Sequence, residues 1–177
     1  EPVQDTILSP GTDVGAYHVT RKLGEGRLGA TYLAKSDGND VRLKILHPET
    51  TAGRRGLNRF LTLTRLTHRL NVEGIPALVY AGTIGDRVAV AHAYQEGQPL
   101  AARVARTGPM HINEARPILK GVLSVLEGLH ARSLAHGALS LENVISFRAG
   151  GGEPKVTLLD PGTDRLRVRP EVDSRSL

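Results

Sequence analysis

Over residues 17–46, short runs rich in Val, Leu, Ile, Thr and Tyr alternate with polar positions. Glycine clusters and the turn Ser36-Asp37-Gly38-Asn39-Asp40 break them up. Period-two alternation with this punctuation predicts three antiparallel strands in a meander. The period then changes, because Leu57, Phe60, Leu61, Leu63, Leu66 and Leu70 recur mostly three and four residues apart. That spacing predicts a helix over residues 57–70 with one broad apolar side. Residues 77–82 and 87–93 return to strand character on either side of Thr83-Ile84-Gly85-Asp86. Beyond Gln95-Glu96-Gly97-Gln98-Pro99 the helical period takes over, with a short helix at 100–107 and a longer one at 113–131. The longer helix should bury Ile118, Val122, Val125, Leu126 and Leu129, and it tolerates Pro117 in its first turns, where a missing N–H costs little. Residues 144–147 and 155–159 close the pattern as a small hairpin around Gly150.

Strands, one helix, more strands and then helices make an α+β chain. Residues 1–15, rich in Pro, Gly, Ser, Thr and Asp, are expected to be a flexible leader. Residues 16–95 should form a five-stranded antiparallel lobe with one helix, residues 96–162 a partial, mostly helical lobe, and residues 163–177 a basic tail. The length of 177 residues suffices for one core or two small lobes around a cleft.

Composition narrows the function classes. Only 3% of residues are aromatic, so aliphatic side chains do most of the packing, and stacking on nucleobases is not the expected activity. The net charge of +5 is scattered, with Arg165, Arg167 and Arg169 as its densest cluster, so no nucleic-acid partner is expected. Without cysteine there is no disulfide, thiol catalysis or Cys-based zinc site. His47, His68, His92, His111, His130 and His136 lie in separate elements without a paired spacing, so no histidine metal site is expected either. No apolar run approaches a membrane span, and residues 1–11 lack the basic and apolar regions of a signal peptide. A cytoplasmic location is the expectation.

The candidate chemistry begins at Leu23-Gly24-Glu25-Gly26-Arg27-Leu28-Gly29-Ala30-Thr31-Tyr32. Without Cβ atoms, such a loop lets backbone N–H groups approach phosphate oxygens, although by itself it equally describes a tight hairpin. Behind it, Val41-Arg42-Leu43-Lys44 forms the third strand, and alternation puts Arg42 and Lys44 on one face. Farther on come Leu134-Ala135-His136-Gly137-Ala138-Leu139-Ser140-Leu141-Glu142-Asn143 and then Leu159-Asp160-Pro161-Gly162. In this order and context, residues 12–162 resemble the bacterial serine/threonine protein kinases. The resemblance implies a protein-kinase-like bilobal fold with a nucleotide cleft lined by Gly24, Gly26, Gly29 and Thr31. Within it, Lys44 would hold the α- and β-phosphates, and Asn143 and Asp160 would bind magnesium. Residues 93–95, with Tyr94 at their centre, would be the hinge facing adenine, and His92 the gatekeeper behind it.

The departures from that family decide the functional expectation. Ala138 stands where the family has the aspartate that accepts the substrate proton, and Ser140 where it has the lysine that steadies the transferring phosphoryl group. Glu142, the one acid of this loop, should face solvent. Leu63 stands where a helix glutamate would pair with Lys44, and no register slip restores it, because residues 51–72 contain no Asp or Glu. Arg42 replaces a small alanine over the adenine site, Thr31 replaces a valine of the same roof, and Pro161 replaces the phenylalanine beside Asp160. These losses predict a pseudokinase with no catalytic residue and a vestigial cleft, in which Asp160 bridges to Lys44, Arg42 or both. No ATP or metal is expected in it, although Lys44, Asn143 and Asp160 would also suit a weak atypical kinase or a nucleotide or anion sensor. The expected partner is a protein or another domain of a longer chain. The apolar stripe of the 113–131 helix should be partly bare, and could serve a homo-oligomer.

Overall fold

The computed structural model describes residues 8–26, 28–51, 54–69, 71–148 and 152–162. The first lobe is an antiparallel sheet of six strands in the order β1-β2-β3-β4-β6-β5. They are β1 (Asp13–Val14), β2 (Tyr17–Gly26), β3 (Gly29–Ser36), β4 (Asn39–Leu46), β5 (Leu78–Ile84) and β6 (Arg87–Ala93). Two helices, α1 (Pro48–Thr51) and α2 (Arg54–Arg69), connect β4 to β5. The second lobe holds α3 (Leu100–Thr107), α4 (Ile112–His130) and a hairpin of β7 (Val144–Phe147) and β8 (Lys155–Leu158).

The meander of β2, β3 and β4 forms where the alternation predicts it. Gly29 is required there, since a Cβ would sit 2.0 Å from the Ile45 carbonyl oxygen. Two expectations about the first lobe need correction. The leader does not stay apart from the fold over its described part. Val14 pairs with Tyr17, the Gly11 N–H donates to the Val19 carbonyl at 2.8 Å, and Leu8 and Val14 are buried with Tyr17, Val19, Tyr32 and Leu43. Two residues of strand are too few for periodicity to register, and they raise the strand count from five to six. The second correction concerns α2, which begins three residues before the expected start and follows the short helix α1. Its buried positions are Phe60, Leu61, Thr64 and Thr67, whereas Leu66 is 43% exposed. Thr67 is accommodated because its hydroxyl donates back to the Leu63 carbonyl at 2.9 Å. Packing of α2 against the sheet therefore buries Phe60 and Leu61 of the predicted row together with two threonines and leaves Leu66 outside.

In the second lobe, α4 buries Ile118, Val122, Val125 and Leu129 against Val156 and Leu158 of β8, with Leu126 partly buried. The expected bare stripe is thus covered, and a different row is exposed: Ile112 at 56%, Leu119 at 56% and Leu123 at 58%. Pro117 lies inside α4 as its sixth residue, past the first turn in which a missing N–H costs nothing. Close to the inter-lobe cleft, the Gly74 carbonyl accepts from the Leu158 N–H at 2.8 Å. Any Cβ at Gly74 would come within 2.2 Å of Val125. The turn at Gly150, Arg27, Leu70 and the basic tail fall outside the described residues.

Candidate functional site

The sheet register sets the roof of the cleft. On β4, Val41, Leu43 and Ile45 are buried on the core face, and the alternate residues Arg42 and Lys44 emerge on the other. Lys44 is opposite Thr31 of β3 and Val90 of β6, and Arg42 is opposite Leu33 and His92. The floor comes from the second lobe, where backbone hydrogen bonds pin the segment after β8 to the loop before β7. The Leu159 N–H donates to the Asn143 carbonyl and the Gly162 N–H to the His136 carbonyl, each at 2.7 Å. Asp160, between these two clamps, is held at a φ of 57°, a left-handed conformation that Asp adopts more readily than most residues.

This arrangement brings Asp160 to Lys44. The two form an ion pair whose side chains are 7% and 15% exposed, which is the bridge anticipated from the missing helix glutamate. Burial opposes ionisation of Asp160, but Lys44, with help from Arg42, outweighs it and holds the carboxyl below its ordinary range. Arg42 makes a different accommodation. Burial lowers its pKa against the pull of Asp160 and Tyr94, and its Nε is buried with no hydrogen-bond partner among the described residues.

The loop that aligns with a catalytic loop is also in place. His136 is 2% exposed, its Nδ1 accepts from the Ala138 N–H at 3.3 Å, and the Asn143 amide donates to the Ala138 carbonyl at 2.7 Å. Ala138 therefore presents only a methyl group to the cleft. Ser140 and Glu142 are exposed at the rim. Pro161 is buried, so the pyrrolidine takes the covered position even though it supplies no aromatic ring.

A cavity of about 420 Å³ lies between the lobes. It is lined by the glycine loop (Gly24, Gly26 and Gly29), Thr31, Arg42, Lys44, Ala138, Ser140, Asn143 and Asp160, among others. His92, Ala93, Tyr94 and Gln95 are not among its lining residues. The last three instead border a separate groove of about 940 Å³ with Arg21, Asp37, Asp40 and Val79. Two of the hinge N–H groups are committed, Ala93 to the Ala77 carbonyl at 2.8 Å and Tyr94 to the Asp40 carbonyl at 3.2 Å. The residues expected for a phosphate end thus come together with Thr31 and Arg42 of the expected adenine roof, and the hinge residues do not line the same cavity.

Sequence spacing missed one pairing. His92, 6% exposed, places its Nε2 at 3.1 Å from Nε2 of His68 in the last turn of α2, with the rings 5.0 Å apart. One ring must donate and the other accept, so the accepting ring is neutral. Burial pushes each down to about 4. Leu63, expected to face Lys44 in place of a glutamate, is half-buried, and α2 meets the inner strand through His68 and through Phe60 and Leu61, which cluster with Val88 and Val90. No group of three or more metal-ligating side chains forms among the described residues.

The protein kinase domain family matches residues 17–166. The chain belongs to the protein kinase family. It is 29% identical over 165 residues to the serine/threonine-protein kinase Pkn1 of Myxococcus xanthus, covering 92% of this chain and 23% of that one. It is 27% identical over 160 residues to the serine/threonine-protein kinase PknJ of Mycobacterium tuberculosis, covering 89% of this chain and 27% of that one. The kinase domain of Mycobacterium tuberculosis PknI superimposes with a TM-score of 0.73 at 25% identity, over 89% of this chain and 63% of that domain. The chain therefore spans about a quarter of these curated relatives and less than two thirds of the solved kinase domain. No helix among the described residues is long and apolar enough to cross a membrane.

Proposed function

We propose that this kinase-family chain is a pseudokinase module, a regulatory or scaffolding domain that engages a protein partner without transferring phosphate. The observation that carries this reading is Ala138 in the cleft wall. An active kinase relies there on a carboxylate to take the proton of the incoming hydroxyl, and general-base help of this kind contributes about 10²–10⁴-fold. The ion pair supports it too, since Lys44 has Asp160 as its counter-ion. A partner, whether another protein, another domain of a longer chain or a second copy, would use the exposed row Ile112, Leu119 and Leu123 on α4.

Incubation of the purified chain with labelled ATP, magnesium and a generic Ser/Thr protein substrate tests the reading, with Lys44→Ala as control. The expected result is no label above the control. Label that depends on Lys44 would instead establish the alternative, a weak atypical kinase working through Lys44, Asn143 and Asp160. That alternative draws its support from the relatives, which are named serine/threonine kinases.

A further inference from the structure

We infer that the exposed row of α4 in one copy of this chain docks in the groove beside the hinge of a second copy. The inference rests on the reading that this chain works through a binding surface, and it names the occupant of that surface.

Two surfaces of opposite character carry it. On α4, Ile112, Leu119 and Leu123 are each more than half exposed. Arg116 and Lys120, three or four residues from these apolar neighbours, are exposed on the same side of the helix. Neither cation has an ion pair among the described residues. Of the two acids in α4, Glu114 is held by Arg103, which leaves Glu127 as the one exposed acid on this side.

The groove of about 940 Å³ has the reverse composition. Leu33, Val79 and Tyr94 supply apolar lining, and Val79 falls at a bulge between Leu78 and Tyr80 that leaves it 49% exposed. Its charged lining is Asp37, Asp40 and Glu96 against Arg21, all exposed. Lys35 bonds Asp40 at 2.9 Å, and even so the groove keeps a negative surplus in a chain of net charge +5.

An apolar row flanked by cations thus meets an apolar groove flanked by acids, and each surface supplies what the other lacks. A second copy answers both surfaces with one contact, whereas a foreign partner would answer only one of them. Because the two surfaces differ, the contact is heterologous and copies add head to tail. Three apolar side chains and a few charges make a small interface, of the weak and salt-sensitive class.

Sedimentation equilibrium over a concentration series, at low and at high salt, tests this. The average mass of the parent chain should rise with concentration and fall back towards the monomer as salt is added. Two charge-reversed variants, Arg116→Glu with Lys120→Glu and Asp40→Lys with Glu96→Lys, should each weaken association at least about tenfold. Mixed in equal amounts they should regain the parent's mass, because the reversed helix fits the reversed groove and the two unaltered surfaces still fit each other. A melting curve on each variant separates a lost contact from a lost fold. Three results would overturn the inference: a parent chain that stays monomeric throughout, a folded variant that associates as the parent does, or a mixture that fails to regain mass. Failure here leaves the proposed lack of phosphoryl transfer standing, because that is read from label incorporation, and label that depends on Lys44 would sink that reading without altering these masses.

Discussion

At the scale of single residues, the pair Lys44 and Asp160 carries the most consequence. Two charges that bury each other attract strongly, yet their desolvation cancels much of the gain, so the pair's presence says little about net stability. Its disruption is another matter. Asp160→Asn leaves Lys44 and Arg42 facing each other without a carboxylate, and unfolding in urea should show a loss of about 3–5 kcal/mol. A loss under about 1 kcal/mol would mean that solvent reaches Lys44 freely. Because the folded carboxyl titrates below its unfolded value, its stabilisation is present above pH 4 and disappears only as the pH falls through that lower folded value. The need for this pair could be read from the chain itself, since residues 51–72 supply no acid to Lys44. The freedom left to Arg42 could not, because whether a long cation finds a partner depends on which backbone carbonyls and carboxylates come within reach.

At the scale of elements, α2 is attached to the sheet by the packing of Phe60 and Leu61, by an Arg65 hydrogen bond to the Ala81 carbonyl and by the His68–His92 pair. Both histidines are neutral when folded, with values near 4, and both titrate near 6.5 once unfolded. The unfolded chain therefore binds more protons in the interval between, and stability should fall as the pH drops from about 6.5 to about 4. Urea midpoints measured across this interval should decline, and His68→Leu should flatten the decline by removing one of the two titrations. An unchanged slope would show that other groups govern the acid response. The bounds of β6, α3 and α4 were legible to within one residue because each has a regular period. The share of Thr64 and Thr67 in the buried face of α2 was not, since both count as polar in any periodicity, and only contact with the sheet puts them beside Phe60 and Leu61.

At the scale of the whole molecule, two lobes meet around a cleft, and one apolar row faces outward. Ile112, Leu119 and Leu123 lie within 11 residues of one another on α4, with Leu119 and Leu123 one turn apart and all three more than half exposed. Replacing Leu119 and Leu123 together by Asp should leave stability within about 0.5 kcal/mol, as for other exposed positions. Partner capture or self-association through this face, followed by light scattering on a size-exclusion column, should be lost in the same variant. Destabilisation without any change in mass would place these leucines in the chain's own packing.

The sequence alone determined the kinase-like order of strands, helices and motifs, and with it the absence of a carboxylate at Ala138, because identity and local period are properties of neighbouring residues. The tertiary structure decided which distant groups share a space. It joined Lys44 to Asp160 and His68 to His92, drew residues 8–14 onto the sheet, and divided the hinge from the glycine loop. Those outcomes depend on strand register and on which faces of helices are covered, and both arise only when elements far apart in the chain pack against each other.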